Sequence, residues 1–247
     1  MFENKLTDRK KEYNILKKIE NSFKKEFNLT PCLGAELEFY LTNFTDIWQL
    51  TKLEEEIEQK IKKEKGHNQY EVEIPPSTDT ASYPGIIYKI KRTIKEKARK
   101  LNLEANFKSK PFTNDYGSSM HIHFNFLENN DVETHARILC HYLPLTITAF
   151  LPKEEDYKRL DSRFMAPTHI SYGSNNRTTL IRIPDSLPKR VEHRLASADT
   201  NPYEVIYAIL SSIYSGLKHP EEITKLDKIY GNAYDPQYNL VKILRNS

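Results

Sequence analysis

The chain has 247 residues, of which 38% are apolar and 29% charged, with a formal net charge of +3 and two cysteines. Those figures describe one domain, residues 1–247, large enough to bury its own core. They exclude a disulfide-built scaffold and a membrane-spanning protein, since no stretch approaches the ~18 apolar residues that a span requires.

Residues 1–30 read as an N-terminal helix. Leu6, Ile15, Leu16, Ile19, Phe23 and Phe27 recur at spacings near three and four among lysines and glutamates. Glu12, Glu20 and Glu26 interrupt the basic face, so neither a membrane surface nor nucleic acid is an expected partner. The charged start lacks the apolar core of a signal peptide, and the expected location is cytoplasmic. Cys32 and Cys140 stand among apolar neighbours without metal-type spacing and read as buried thiols.

Residues 34–41 alternate as a strand that places Glu36 and Glu38 on one face and Leu37, Phe39 and Leu41 on the other. A single such strand describes an ordinary solvated face equally well. A second helix is expected over 46–65, with Trp48, Leu53, Ile57 and Ile61 on one stripe, and it carries Glu64 at its end. The strand at 69–74 presents Glu71 and Glu73, a turn follows at 75–77, a helix covers 84–101 and a strand 103–108. A loop at 110–118 leads into residues 119–126, where His121, His123 and Asn125 share a face. Residues 131–151 form a helix kinked at Pro144. An irregular stretch, 153–176, holds Arg159 and Arg163. Strands at 180–183 and 190–195 then present Arg182, and Arg190, Glu192 and Arg194; a helix at 203–217 and an irregular tail, 218–247, close the chain.

A merely wet face would favour lysine, serine and threonine. Carboxylates, imidazoles and arginines gathered on five strands point instead to a lined cavity for divalent cations and phosphate or carboxylate groups.

The ordered motifs Gly34-x-Glu36-x-Glu38-Phe39-Tyr40-Leu41, Gln69-Tyr70-Glu71, Lys110-Pro111-Phe112, Gly117-Ser118-x-Met120-His121-Ile122-His123, Asn176-Arg177-Thr178 before Ile181-Arg182-Ile183-Pro184, and Glu192-x-Arg194 before Asn201-Pro202-Tyr203 resemble the glutamine synthetase family. The resemblance runs from Gly34 to Leu217. It implies an α+β fold, a curved antiparallel sheet with helices on its outer face forming half of a funnel. It also implies an ATP-dependent carboxylate-amine ligase acting through a γ-glutamyl-phosphate type of intermediate. One metal ion, Mg²⁺ or Mn²⁺, would lie on Glu38, Glu64 and Glu71, and another on Glu36, His121 and Glu192. His123, Arg177, Arg182 and Arg190 would face the phosphates of ATP, while Arg159 and Arg194 would hold an amino-acid substrate such as glutamate and the transferred phosphoryl group. Ammonia or another amine would be the acceptor.

The sequence departs from the family pattern in three respects. No counterpart of the family's small β-grasp domain precedes Gly34, so a small homo-oligomer or a monomer is expected. The segments between Glu38 and Glu64 and between His123 and Arg159 are short. Met165 stands where the family carries a flap glutamate, and Tyr116 where it carries an asparagine. A non-catalytic relative that binds nucleotide and metal is the alternative reading.

Overall fold

The structure, a computed structural model, describes residues 2–128 and 131–244. Eight strands form one open mixed sheet in the order β2-β3-β1-β5-β8-β7-β6, with β4 paired to one end of β1. The central strand is β1 (Pro31–Thr42). It is flanked by β3 (Gln69–Ser77) and β5 (Met120–Phe126), both antiparallel to it. Strand β2 (Ile61–Lys63) adds to the outer edge of β3, and β4 (Glu104–Asn106) to β1. On the other side lie β8 (Val191–His193), β7 (Ile181–Ile183) and β6 (Tyr172–Ser174). The last pair, β6 with β7, is parallel, which corrects the expectation of a wholly antiparallel sheet.

The two-residue period sorts the sheet into faces. Leu33, Leu37, Phe39, Val72, Ile122, Phe124 and Val191 are all buried on the apolar side. On them pack α3 (Tyr83–Lys100), α4 (Val132–Phe150) and α5 (Pro202–Lys218), which form one apolar cluster with the sheet. Helix α1 (Phe2–Ser22), continued by a π turn at Phe23–Phe27, lies against α5 through Leu16 and Phe23. No described helix is long and apolar enough to cross a membrane. Where α4 and α5 cross, a Cβ on Gly216 would come within 2.6 Å of Ile138. Gly216→Ala is therefore expected to lower stability by about 1–3 kcal/mol through overpacking, read as a lower urea midpoint.

Two expected elements differ. The helix expected over 46–65 is α2 (Ile47–Ile57), which ends because Glu58 adopts a left-handed backbone conformation, φ 54°. Ile61, which fits the helical stripe, is instead buried in β2, so Glu64 follows an edge strand and not a helix. The turn expected at 75–77 is strand: β3 continues through both prolines, beyond the residues that β2 pairs, so their missing N–H groups cost no ladder bond on that side. Helix α4 continues through Pro144, with Asp131 capping the Thr134 N–H.

The tail expected to be irregular has few regular turns but is not loose. Ile229, Ala233 and Ile243 are buried. Backbone bonds tie Ile229 to Tyr172, Ile170 to Val241 and Ile243 to Thr168. The Asn176 side chain donates to the carbonyls of Ile229 (3.4 Å) and Gly231 (2.7 Å), so the tail fastens the segment leading to Arg177 and Arg182.

Candidate active site

Register determines which polar residues meet. Across the antiparallel ladders Glu36 lies opposite His121, Glu38 opposite Glu71, His123 opposite Glu192, and Arg182 opposite Glu192. Directly opposed residues bring their side chains to within a few ångströms, so Arg182, Glu192 and His123 form one row across three strands, with His121–Glu36 and Glu38–Glu71 in the rows beside it.

Glu36 is the hub. Its Oε2 is 3.1 Å from His121 Nδ1 and its Oε1 3.0 Å from His123 Nε2. Arg190 Nε donates to His123 Nδ1 at 3.1 Å, which assigns the ring proton of His123 to Nε2, facing Glu36. Glu192, almost wholly buried, accepts from Arg182 NH1 at 2.7 Å and lies 3.2 Å from Arg194 Nε. Glu38 is held by the backbone N–H (2.8 Å) and hydroxyl (2.7 Å) of Ser119, whose Oγ is also 2.8 Å from His121 Nε2.

Glu36, Glu38, Glu64, Glu71 and His121 line one cavity, and Arg159, Arg177 and Arg194 reach the same space. Arg159 is buried under it: NH1 donates to the Leu195 carbonyl at 2.7 Å, while Nε has no partner among the described residues. Gly117 permits this approach, since a Cβ there would lie 2.8 Å from Arg159 Cβ. Arg194 donates to the Arg177 and Thr179 carbonyls. Arg182 also donates to Asn175 Oδ1 through Nε and NH2. Every predicted site residue thus lies on the polar face or beside its cavity, but in a different grouping. Three sets among the described residues have ligand atoms all within 4.8 Å: Glu36–Glu71–His121 and Glu36–His123–Glu192 here, and an exposed His219–Glu221–Glu222 set that holds none of the predicted site residues. Glu36 belongs to the first two, His123 sits among the carboxylates, and Glu38 and Glu64 reach the cavity without joining a set.

The electrostatics follow from this crowding. Burial works against ionised Glu36, but hydrogen bonds and charge from His121 and His123 hold its carboxyl well below the usual range. Burial, followed by repulsion from Glu36, Glu38 and Glu64, pushes Glu71 up to about 9. Burial and the Glu38 charge raise Glu64. Burial disfavours the charged His121 ring, yet Glu36, Glu38 and Glu192 raise its pKa. Glu192 is lowered: burial opposes ionisation, and His121 and Arg194 outweigh it.

A group whose folded pKa is raised gives stability that is complete below its unfolded pKa and lost as pH climbs through the folded value. Glu71 and His121 both act in that sense. The depressed Glu36 and Glu192 contribute fully throughout the same window. Without divalent ions the melting temperature should therefore fall between about pH 7 and pH 8, above the range in which the buried neutral His135 and His193 take up protons on unfolding and below that of the buried Lys91. Millimolar Mg²⁺ or Mn²⁺ should raise it, most at the alkaline end. Differential scanning fluorimetry checks both trends.

The opposite wall is apolar. Tyr116 and Phe164 pack edge to face at 5.3 Å, and Met165, Ala166 and Pro167 continue the lining. Met165 has φ 56° and Lys65 Nζ lies 3.0 Å from its sulfur. Tyr234 in the tail donates its hydroxyl to the Ala166 carbonyl at 2.9 Å and fixes this wall. Sequence reasoning missed Ser119, Asn175 and Tyr234, which act by positioning; only Ser119, inside the His-x-His motif, had a signal. Glu73 is exposed and paired with Lys62, and His193 stacks on Phe150 at 4.1 Å, with burial pushing it down to about 3.

Solved structures share this arrangement of strands and helices. A GmaS/ADP complex superposes with a TM-score of 0.77 at 19% identity, over 94% of this chain and 65% of that one. A Plasmodium falciparum glutamine synthetase gives 0.71 at 19% identity, over 90% and 58%. The fold is that of a glutamine synthetase catalytic domain. The sequence model described as "Glutamine synthetase, catalytic domain" matches residues 44–243, and the chain belongs to the glutamine synthetase family. Among curated relatives, gamma-glutamylputrescine synthetase PuuA of Escherichia coli is 32% identical over 164 residues, 60% of this chain and 34% of that protein. Glutamate–isopropylamine ligase of a Pseudomonas species is 31% identical over 202 residues, 74% of this chain and 43% of that one. The chain spans between a third and a half of the length of these relatives.

Proposed function

We propose that the chain is an ATP-dependent carboxylate-amine ligase, which activates a side-chain carboxylate such as that of glutamate as an acyl phosphate and then joins it to an amine. The observation that carries this reading is the meeting of Glu36, Glu71, His121 and Glu192 on the polar face with the arginines that reach the same space. The names of the relatives, two of them ligases or synthetases acting on amines, support the reaction class.

The donor set fits Mg²⁺ or Mn²⁺. Hard carboxylate oxygens with one imidazole per set suit either ion, and of the burial and repulsion that raise Glu71, the repulsion is what a cation between the acids would relieve. Glu36, Glu71 and His121 would hold one ion and Glu36, His123 and Glu192 another, with Glu38 and Glu64 beside them. When bound, such ions supply neutralising charge at the phosphates.

The arginines divide the remaining work. Arg182 and Arg190, anchored by Glu192 and His123, stand where they can orient the ATP phosphates. Arg159, Arg177 and Arg194 offer guanidinium forks to the substrate carboxylate and the phosphoryl group in transit. The carboxylate oxygen bonds to the terminal phosphorus and ADP leaves. The amine nitrogen then attacks the acyl carbon, the bond from carbon to phosphate oxygen breaks, phosphate departs with the electron pair, and the amine proton passes to water. The protein contributes position and charge.

ADP release is the test, measured with glutamate plus a panel of amines. The expected result is release that needs both glutamate and an amine. Nucleotide binding without release for any amine would favour the non-catalytic relative.

A further inference from the structure

Two cations lean on the apolar residues Met165 and Phe164, and neither has a carboxylate within ion-pair distance among the described residues. Lys65 Nζ rests 3.0 Å from Met165 Sδ. Lys110 Nζ sits 3.8 Å above the centre of the Phe164 ring and donates to the Asp115 carbonyl. Neither closes an ion pair among the described residues, whereas Lys52, Lys62 and Lys97 each reach a glutamate. The neighbouring acids are engaged elsewhere. Asp161 is taken by Arg163 at 2.7 Å, and the Asp115 carboxylate accepts from the backbone N–H groups of His67 and Tyr116.

A thioether is a weak acceptor and a ring face gives an exposed ammonium only about 0.5–1 kcal/mol. A carboxylate is the stronger partner for both lysines. The cavity is therefore polarised, with carboxylates on the sheet side, an apolar middle at Phe164 and Met165, Lys65 in the far lining, and Lys110 against the Phe164 ring outside that lining.

We propose that the amine accepted here carries an anionic group, a carboxylate, at its far end. The product would be a γ-glutamyl derivative of an amino acid and not of a simple alkylamine or a diamine. This rests on the ligase reading above and leaves its chemistry unchanged: the same nitrogen attacks the same acyl carbon, phosphate leaves, and the proton goes to water. A molecule with a cationic head, a short apolar stem and an anionic tail is complementary to the cavity along its length. A diamine brings its second charge against Lys65 and Lys110.

Three probes of matched length separate the possibilities: 4-aminobutanoate, butylamine and putrescine. Each is titrated calorimetrically into the full chain loaded with Mg²⁺ and ADP. The expected order is 4-aminobutanoate tightest and putrescine weakest, with about a tenfold span or more. Lys65→Glu, in the cavity lining, and Lys110→Glu, against the Phe164 ring, should each narrow or invert it. Putrescine or butylamine binding as tightly as 4-aminobutanoate, no binding of any probe, or an order unmoved in both charge reversals would overturn the proposal. ADP release with glutamate and the same probes judges the ligase reading separately. The expected binding order without turnover would sink that reading, and with it the γ-glutamyl product, leaving only the preference of the cavity for an amine with an anionic tail. Turnover that prefers putrescine would do the reverse.

Discussion

Glu36→Ala is expected to lower amine-dependent ADP release by about a thousandfold or more, a loss of about 4 kcal/mol of transition-state stabilisation. Glu36 belongs to both candidate ligand sets of the site and is the partner of both histidines, so its removal empties the centre they share. The fold should survive. The side chain lies on the polar face, away from the apolar cluster, and its loss also removes one of the charges that repel Glu71. A circular dichroism spectrum like that of the unmodified protein, with turnover gone and no Mg²⁺-dependent rise in melting temperature, is the predicted combination. Retained turnover would move the reacting centre elsewhere.

Met165→Glu is expected to raise amide formation from glutamate and ammonia by about tenfold or more, from a level that is poor in the unmodified protein. Ammonium is a cation at neutral pH. It needs a negative pocket to draw it in and a base to take its proton before it can attack. The wall made by Tyr116, Phe164 and Met165 offers neither, and Lys65 beside the Met165 sulfur repels it further. A glutamate at 165 would supply both roles, though Lys65 would pair with it. The gain should therefore be larger when Lys65→Met is added. Robust glutamine formation by the unmodified protein, measured by amino-acid analysis, would contradict this account of the wall.

Those expectations rest on a site whose faces were legible in the sequence and whose grouping was not. In β1, β3, β5 and β8 the polar residues stand two apart between apolar ones, so Glu36, Glu38, Glu71, His121, His123 and Glu192 could be assigned to one side of the sheet from period alone. Which of them touch depends on register. Only the pairing of Glu36 with His121 and of His123 with Glu192 draws His123 into the carboxylate cluster. The helical spacing of Leu53, Ile57 and Ile61 places Glu64 at the end of a helix. The chain breaks that helix at Glu58 and buries Ile61 in the sheet, a choice made by tertiary contact and not by propensity.

Short elements carry too little pattern to determine their partners. Strands β6, β7 and β8 have three residues each, too few for the two-residue period to determine their partners, so the parallel pairing of Tyr172–Ser174 with Ile181–Ile183 was beyond reach. The tail is similar: its backbone bonds to residues 168–172 join positions about 60–75 apart in sequence, and the Tyr234 hydroxyl is 68 residues from the carbonyl it holds. Positioning groups such as Asn175 belong to residue types found in any loop, and only their geometry marks them.

The central claim is that a carboxylate is activated by phosphorylation in this cavity, and following one oxygen atom tests it most directly. Glutamate labelled with oxygen-18 in its γ-carboxylate is incubated with ATP, Mg²⁺, an accepted amine and the full chain, and the inorganic phosphate is analysed by mass spectrometry. The account predicts one labelled oxygen in phosphate for each amide formed, because the bond broken in the second step lies between the acyl carbon and that oxygen. Amide formed alongside unlabelled phosphate would contradict it.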